Sequence, residues 1–175
     1  MPLYALDGKK PSIAKDAFIA PSASVIGDVI VESGASIWYH TVIRADYSTI
    51  IIRAGANVQD GSVLHSPPDA VTEVGAGATI GHLCMVHGAV IGEQALIGNG
   101  STVLDGSLIG ARCLVAAHSL VRSGSSFEPG TFIAGSPAVA KRSVAGTAME
   151  ELIEINGPAY VELARRHGSS LVRLD

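Results

Sequence analysis

The sequence has few aromatic residues, few cysteines and no excess of positive charge, and each shortage argues against a class of protein. Aromatic residues make up only 5% of the 175 residues, so a narrow interior of Val, Ile and Ala is favoured over a wide core filled by rings. Cys84 and Cys113 are the only cysteines, too few for a disulfide scaffold. The formal net charge is −4 and no basic run occurs, so nucleic acid is not expected as a partner.

Long apolar segments are also missing. No stretch approaches the roughly 18 apolar residues that a membrane-spanning helix needs. The opening MPLYALDGKKPS has no apolar segment of signal-peptide length. We therefore expect no membrane association and a cytoplasmic location. The length of 175 residues suits one domain with its own core.

What the sequence does contain is a repeat of six residues. A six-residue period matches neither a helix nor a simple alternation, and a short period held over most of a chain predicts a solenoid. Hexads with one inward aliphatic residue form a parallel β-helix of triangular section, whose successive coils stack about 4.8 Å apart. The inward series is Ile13, Ile19, Val25, Val31, Ile37, Ile43, Ile52, Val58, Leu64, Val74, Ile80, Val86, Ile91, Ile97, Val103, Ile109, Val115, Val121, Phe127, Ile133 and Val139.

The repeat divides the chain into two segments of one domain. We predict residues 1–142 as an all-β solenoid and residues 143–175 as a C-terminal helical segment that packs on it. Two steps in the inward series are longer than six, over residues 43–52 and 64–74. We interpret both as loops ejected from the coil, and the second contains the proline-bearing stretch Ser66 to Glu73.

The C-terminal segment has the signals of a helix. Thr147 and Glu150 have the spacing of a capping box, which predicts a helix over residues 147–155. The Gly-Pro pair at 157–158 is expected to break or kink this helix, and a proline in a first turn permits a restart over 158–168.

Numbering the three faces of the triangle aligns polar side chains into outward columns. Arg44, His65 and His87 each directly follow an inward residue on what we call the first face, so they are expected to stack. A second column lies on the third face, two places after its inward residues: Tyr39, Asp60, His82 and Asn99.

The first column suggests a metal site shared between subunits. His65 and His87 are neighbours in space and can bind one metal ion at about 2.0–2.1 Å, whereas His82 faces another way. His82 can reach that metal from a neighbouring subunit if the first face of one molecule packs on the third face of the next. Three such contacts close a ring, so we predict a homotrimer.

Four segments carry a resemblance to a known family. They are IRAD at 43–46, NVQDGSVLH at 57–65, IGHLCMVHG at 80–88 and IAGSPAVAKR at 133–142. In combination they resemble the γ-class carbonic anhydrases. The resemblance implies a left-handed parallel β-helix of hexapeptide repeats, a C-terminal α-helix and a homotrimer.

The resemblance also implies a metal and a reaction. The implied ligands are His65, His82 and His87, in agreement with the columns, and the implied metal is Zn2+, although three histidines also accept Fe2+ or Co2+. Three neutral imidazoles leave one position open for water, and the metal lowers the pKa of that water to about 7. The implied reaction is attack of zinc-bound hydroxide on CO2 to give bicarbonate.

Further residues gain a role from the same resemblance. Gln59 orients the hydroxide or the substrate, and Tyr160 on the terminal helix is expected to line the pocket. Arg44 and Asp46 match a pair at the subunit interface. Asp60 stacks under the third-face histidine and is expected to orient it or to bridge to Arg44 across the interface.

The chain departs from the family where a proton carrier is expected. Vigorous members of the class use a glutamate-bearing acidic loop, whereas the loop after His65 is short and offers only Asp69 and Glu73. We expect Glu73 to be the internal proton relay, with Asp69 second. Hydration should then be slow without an external buffer.

Other functions share the fold and stay open at this point, since a fold does not decide function. One is a binding protein for an iron-chelating siderophore of the ferripyochelin type. Another is a metal-dependent hydrolase of acyl thioesters. A further option, the hexapeptide acyltransferase, has the same fold, but its catalytic histidine does not come as part of such a triplet.

Overall fold

The computed structural model describes residues 2–174. It is a parallel β-helix of about seven turns followed by one C-terminal helix, which confirms the predicted fold class. Short strands form three faces, because each hexad contributes a straight segment and a turn. The first and second faces belong to one sheet of 12 strands, and the third face is a separate sheet of eight.

The strands follow the hexads closely. The first face contains β1 (Leu3–Tyr4), β8 (Val63–His65), β11 (Met85–His87), β14 (Thr102–Val103) and β17 (Leu120–Val121). The second face contains β2 (Ser12–Ile13), β9 (Thr72–Val74), β12 (Val90–Ile91), β15 (Leu108–Ile109) and β18 (Ser126–Phe127). The third face contains β3 (Phe18–Ile19), β5 (Ser36–Ile37), β7 (Asn57–Val58), β10 (Thr79–Ile80), β13 (Leu96–Ile97), β16 (Leu114–Val115), β19 (Thr131–Gly135) and β20 (Ala138–Ser143).

Two long strands join the first and second faces. β4 (Ser24–Val31) and β6 (Val42–Ile52) pair in parallel, with a register shift between Gly27 and Val29. In place of the loop predicted over residues 43–52, the chain continues as one strand with a bulge. The pairing passes from Gly27–Ala45 to Val29–Ile50, so residues 46–49 have no partner in β4 and the coil keeps its register.

The inward series forms the core. Ile43, Leu64, Ile80, Ile97 and most other members of the series are fully buried in one continuous cluster. The series ends at Ile133, because the next predicted member, Val139, is 46% exposed. It lies in β20, which turns back and pairs antiparallel to β19 instead of beginning another coil.

The helix α1 (Ala148–Ser170) is continuous, so the predicted break at 157–158 was wrong. The Thr147 side chain accepts a hydrogen bond from the Met149 amide, as expected of a helix cap. Pro158 lies inside the helix, where a proline costs about 3 kcal/mol. Packing against the β-helix offsets this local cost. Within residues 2–174, α1 lacks an apolar stretch long enough to cross a bilayer.

Close contact between the helix and one corner of the triangle fixes the position of α1. Gly157 is buried, and a Cβ atom at this position would lie 2.8 Å from the carbonyl oxygen of Gly77. Further along, the rings of Tyr160 and His167 meet Trp38 edge-on, at centroid distances of 5.4 and 4.9 Å. The helix is thus held on the third face by contacts far apart in sequence.

Gly157→Ala should destabilise the protein, although alanine is the better helix former. Overpacking costs about 1–3 kcal/mol, more than the gain of about 1 kcal/mol in helix propensity. Gly168→Ala is the matched control on the same helix, since a Cβ there meets nothing within 4 Å. Urea unfolding should show a lower midpoint for Gly157→Ala and an equal or higher one for Gly168→Ala. Equal midpoints for the two variants would contradict this account of the helix contact.

Candidate functional site

The first-face column forms as predicted. Parallel pairing of β6, β8 and β11 places Arg44 beside His65, and His65 beside His87. The two imidazole rings lie 4.8 Å apart between centroids, and Nδ1 of His65 is 2.8 Å from Nε2 of His87. One coil of the solenoid thus suffices to bring the two rings into hydrogen-bonding contact.

Carboxylates bind both outer nitrogens of this histidine pair. Oδ2 of Asp46 lies 2.9 Å from Nε2 of His65 and also accepts a hydrogen bond from Arg44. Oδ1 of Asp105 lies 2.5 Å from Nδ1 of His87. Sequence reasoning missed Asp105, because the coil after His87 is one residue short: the pairing of Val86 with Val103 puts Leu104 one coil after His87, and Asp105 lies one place further on. All four ring nitrogens of the pair therefore have partners.

The charge balance of the pair favours a bound cation. If both carboxylates are ionised, each ring donates its N–H outward, and the two facing nitrogens must share a further proton or another cation. Burial, and then the charges of Arg44 and His87, lower the pKa of His65. A proton on either ring or a metal ion would meet this requirement, so the donor set fits a metal ion as part of a site.

The second column presents a different histidine on the third face. Nδ1 of His82 lies 3.0 Å from Oδ2 of Asp60, and the His82 backbone amide donates to Oδ1 of Asn99 at 3.0 Å. The His82 side chain is 42% exposed. Its Nε2 has no hydrogen-bond partner among residues 2–174. Asp60 thus lies beside His82, as the stacking argument predicted, and its role in orienting the ring stays a prediction.

The three-histidine metal site stays a prediction. In the described part of the chain no group of three or more His, Cys, Asp or Glu side chains is placed to hold a metal. His65 and His87 are together, but His82 belongs to the other column, so a second subunit would have to complete the site. The structure places Arg44 and Asp46 beside His65 as an ion pair within one subunit.

A groove of about 400 Å³ lies between the third face and α1. It brings together Gln59, His82 and Tyr160, which were predicted site residues, and adds Asn99 and Asn156, which were not. Burial, and then the charge of Asp60, raise the pKa of Tyr160, so its hydroxyl stays protonated at neutral pH. The groove is the concave part of the molecule where these polar side chains converge.

Glu73 lies elsewhere than predicted. The ejected loop is shorter than expected, because Thr72 to Val74 form β9 on the second face. There Oε1 of Glu73 accepts a hydrogen bond from Nε of Arg53 at 2.7 Å, and Glu32 binds the same guanidinium. These hydrogen bonds raise the pKa of Arg53. Glu73 is thus engaged in an ion-pair cluster on the second face.

Comparisons with known proteins decide the family. The family described as bacterial transferase hexapeptide (six repeats) matches residues 88–123. The carnitine operon protein CaiE of Shigella flexneri is 42% identical over 171 residues, which cover 98% of this chain and 87% of CaiE. The chain belongs to the bacterial hexapeptide-repeat transferase family.

Solved structures of this family agree over nearly the whole chain. A Bacillus cereus protein assigned to the acetyltransferases is 38% identical, with a TM-score of 0.93 over 95% of this chain and 96% of its own. A hexapeptide transferase family protein from Anaplasma phagocytophilum is 34% identical, with a TM-score of 0.89 over 97% and 98% of the two chains.

These comparisons overturn the predicted function. Assignment as a zinc-dependent carbonic anhydrase, and with it the lyase class, was wrong, because the family model and the similar solved structures are named for transferases and CaiE is named for a carnitine operon. The prediction gave most weight to a histidine triplet, which does not by itself define the reaction. The resemblance correctly gave the hexapeptide-repeat fold. No finding supports CO2, bicarbonate or a siderophore as ligand, and the thioester hydrolase alternative is not supported either.

Metal analysis of the purified protein tests the remaining metal prediction. An interface site predicts bound metal that is lost in His65→Ala and equally in His82→Ala, because each histidine supplies one ligand. His118→Asn is the control, since His118 lies on the third-face corner with a positive φ of 57° that asparagine tolerates. Metal that survives in His82→Ala, or no metal in the wild type, would contradict the three-histidine site.

Proposed function

We propose that the protein is an acyltransferase that moves an acyl group from a thioester to a hydroxyl or amine acceptor bound in the third-face groove. The observation that carries the proposal is the His82–Asp60 pair at this groove. Oδ2 of Asp60 lies 3.0 Å from Nδ1 of His82, and Nε2 is left without a partner among the described residues. A histidine oriented by a carboxylate, with one nitrogen open to a cavity, has the geometry of a general base.

The other histidine pair is less suited to this role. Both ring nitrogens of His65 and both of His87 are engaged in hydrogen bonds. Neither ring can accept a proton from a substrate unless one of these bonds opens. His82 needs no such rearrangement, so the groove is the better site for proton transfer.

The proposed reaction follows from this arrangement. Nε2 of His82 removes the proton from the acceptor hydroxyl or amine as the acceptor atom attacks the carbonyl carbon of the thioester. A tetrahedral intermediate forms, the carbon–sulfur bond breaks, and the acyl group stays on the acceptor. The departing thiolate then takes the proton from His82. Proton and acyl group are thus both accounted for without a covalent intermediate on the protein.

Two side chains are placed to stabilise the negative oxygen of the intermediate. Oδ1 of Asn99 accepts the His82 backbone N–H, so its amide nitrogen is left to donate into the groove that it lines. Tyr160, with its raised pKa, offers a protonated hydroxyl from α1. Hydrogen-bond donors aimed at a developing oxyanion contribute about 2.7–4 kcal/mol in other enzymes.

The assembly is a second part of the proposal. A homotrimer in which the first face of one subunit packs on the third face of the next would close one side of the open groove. Leu83 and Met85, which follow His82 in sequence, are 73% and 37% exposed, and such packing would cover them. The same packing is the condition that the predicted metal site requires.

The choice of acceptor for an assay comes from the relatives. Several similar proteins are named for a carnitine operon, and carnitine carries one hydroxyl group. We therefore suggest acetyl-coenzyme A as donor, with L-carnitine and n-butylamine as trial acceptors. Released thiol and acetylated product are both measured, since thiol release alone does not distinguish transfer from hydrolysis.

His82→Ala should lower kcat for acyl transfer by about 10²–10⁴-fold, the usual contribution of a general base. Asp60→Asn should give a smaller loss, because the ring keeps a polar neighbour of the same shape but loses the negative charge. His118→Asn, the exposed histidine of the same corner, should leave kcat unchanged. Full activity in His82→Ala would overturn the assignment of the base.

Removal of metal separates this proposal from the metal prediction. A metal ion bound by His82 would occupy the Nε2 that the base needs, because Nδ1 faces Asp60 at 3.0 Å. If His82 is the base, dialysis against a chelator should leave acyl transfer intact. Activity that disappears with the metal and returns on its addition would contradict a base role for His82.

A further inference from the structure

We propose that the groove recognises its acceptor as a primary amine, through the side-chain carbonyl oxygens of Gln59 and Asn156. The acyl-transfer step in which this amine takes part rests on the proposed function, whereas its recognition does not. The inference starts from a chain of buried amides and one hydroxyl under the groove.

Hydrogen bonds fix the orientation of these amides. Nδ2 of Asn57 donates to Oγ1 of Thr79 at 2.8 Å, and Nε2 of Gln59 donates to Oδ1 of Asn57 at 3.1 Å. With the Asn57 nitrogen donating to Thr79, the Asn57 oxygen faces Gln59, and Gln59 turns its own nitrogen inward. Asn57 is wholly buried and Thr79 nearly so, so no water competes for these partners.

The oxygen of Gln59 is thereby presented to the groove. Gln59 is only 4% exposed, and its Oε1 has no hydrogen-bond partner among the described residues. No buried side-chain nitrogen or oxygen of those residues lacks a partner, so Oε1 must be reachable from outside. Gln59 lines the groove, which is where its accessible oxygen can be reached. A nearly buried acceptor without a partner indicates a ligand that donates.

Asn156 is fixed by the same hydroxyl from the opposite wall. Its Nδ2 donates to Oγ1 of Thr79 at 2.7 Å, which leaves its Oδ1 as the group that faces a ligand. Thr79 therefore orients two amides at once, one on the β-helix and one on α1. The polar surface between them presents carbonyl oxygens, not amide N–H groups.

The charges around the groove select the class of ligand. No lysine or arginine lines it, and Asp60 adds a negative charge beside His82. A carboxylate or phosphate between these two amides would meet their oxygens and this negative charge, and the neutral donors Asn99 and Tyr160 would give it no cationic partner. A protonated primary amine brings three N–H donors and a positive charge, which match the two carbonyl oxygens and the nearby carboxylate.

The chemistry of an amine acceptor balances at this site. The bound ammonium gives one proton to Nε2 of His82, which passes it to solvent. The free amine then attacks the thioester carbon, a carbon–nitrogen bond forms and the carbon–sulfur bond breaks. The second proton moves from the new amide nitrogen through His82 to the departing thiolate. An amide, a free thiol and one released proton are the products.

Binding of four small probes to the full-length protein tests the recognition without any turnover. The probes are n-butylamine, butan-1-ol, butyrate and tetramethylammonium, titrated at pH 7 and constant ionic strength and followed by NMR chemical shifts. Tetramethylammonium carries the charge but no N–H, so it controls for attraction to an acidic protein. We expect n-butylamine to bind about tenfold more tightly than tetramethylammonium or butan-1-ol, as hydrogen bonds to a charged group predict, and butyrate not to bind.

Two variants test the residues. Gln59→Leu removes one oxygen and should weaken n-butylamine about tenfold. Thr79→Val keeps the shape of the side chain but removes the oxygen that orients both amides, so either amide can turn its N–H2 outward. The preference for n-butylamine over butyrate should then fall, which a loss of stability alone would not cause. Thr102→Val is the matched control, because Thr102 also directly precedes an inward residue of a short strand and lies outside the groove.

The outcomes separate this inference from the proposed function. Equal binding of n-butylamine and tetramethylammonium, binding of butyrate, or an unchanged preference in Thr79→Val overturns amine recognition by oriented amides. A wild-type protein that binds none of the four probes also overturns amine recognition. Selective amine binding that depends on Gln59 and Thr79 supports it, and a protein that binds in this way but transfers no acyl group refutes the acyltransferase alone.

Discussion

Parallel stacking of one coil directly on the next is the constraint on which the rest of this structure depends. Each strand hydrogen-bonds to the strands one coil before and after it, and the inward aliphatic residues hold these strands in register. A one-residue slip would turn those residues outward and expose the core. The register is therefore strongly determined, and it places any two residues one coil apart in contact on the same face.

Polar chemistry on this scaffold is arranged in columns for the same reason. On the first face, stacking produces a closed network in which Asp46, His65, His87 and Asp105 use one another as partners. On the third face, the same stacking pairs Asp60 with His82 and leaves one nitrogen open. Coil stacking thus forms both columns, but only the column on the third face borders a groove where a substrate could bind.

Much of the first face and half of the groove could be predicted from the sequence. The pairing of His65 with His87, and of Asp60 with His82, follows from counting coils. Asp105 does not follow from the same count, because it lies one place beyond Leu104, the residue one coil after His87. Asn156 could not be predicted either, because its place opposite Thr79 depends on how α1 lies on the third face. The continuity of the helix through Pro158 was missed for the same reason, since local signals at 157–158 favoured a break.

The sequence by itself determined the solenoid, its register and the columns, because a hexad specifies its own inward residue and needs only its neighbours one coil away. Only the tertiary structure decided where the groove lies and which amide oxygens face it. Those features depend on the close approach of Gly157 to Gly77. They also depend on contacts between aromatic rings from distant parts of the chain, those of Phe18, Trp38, Tyr39 and Tyr160. Such contacts leave no repeating pattern in the sequence, because they depend on how the surface of α1 fits the surface of the third face.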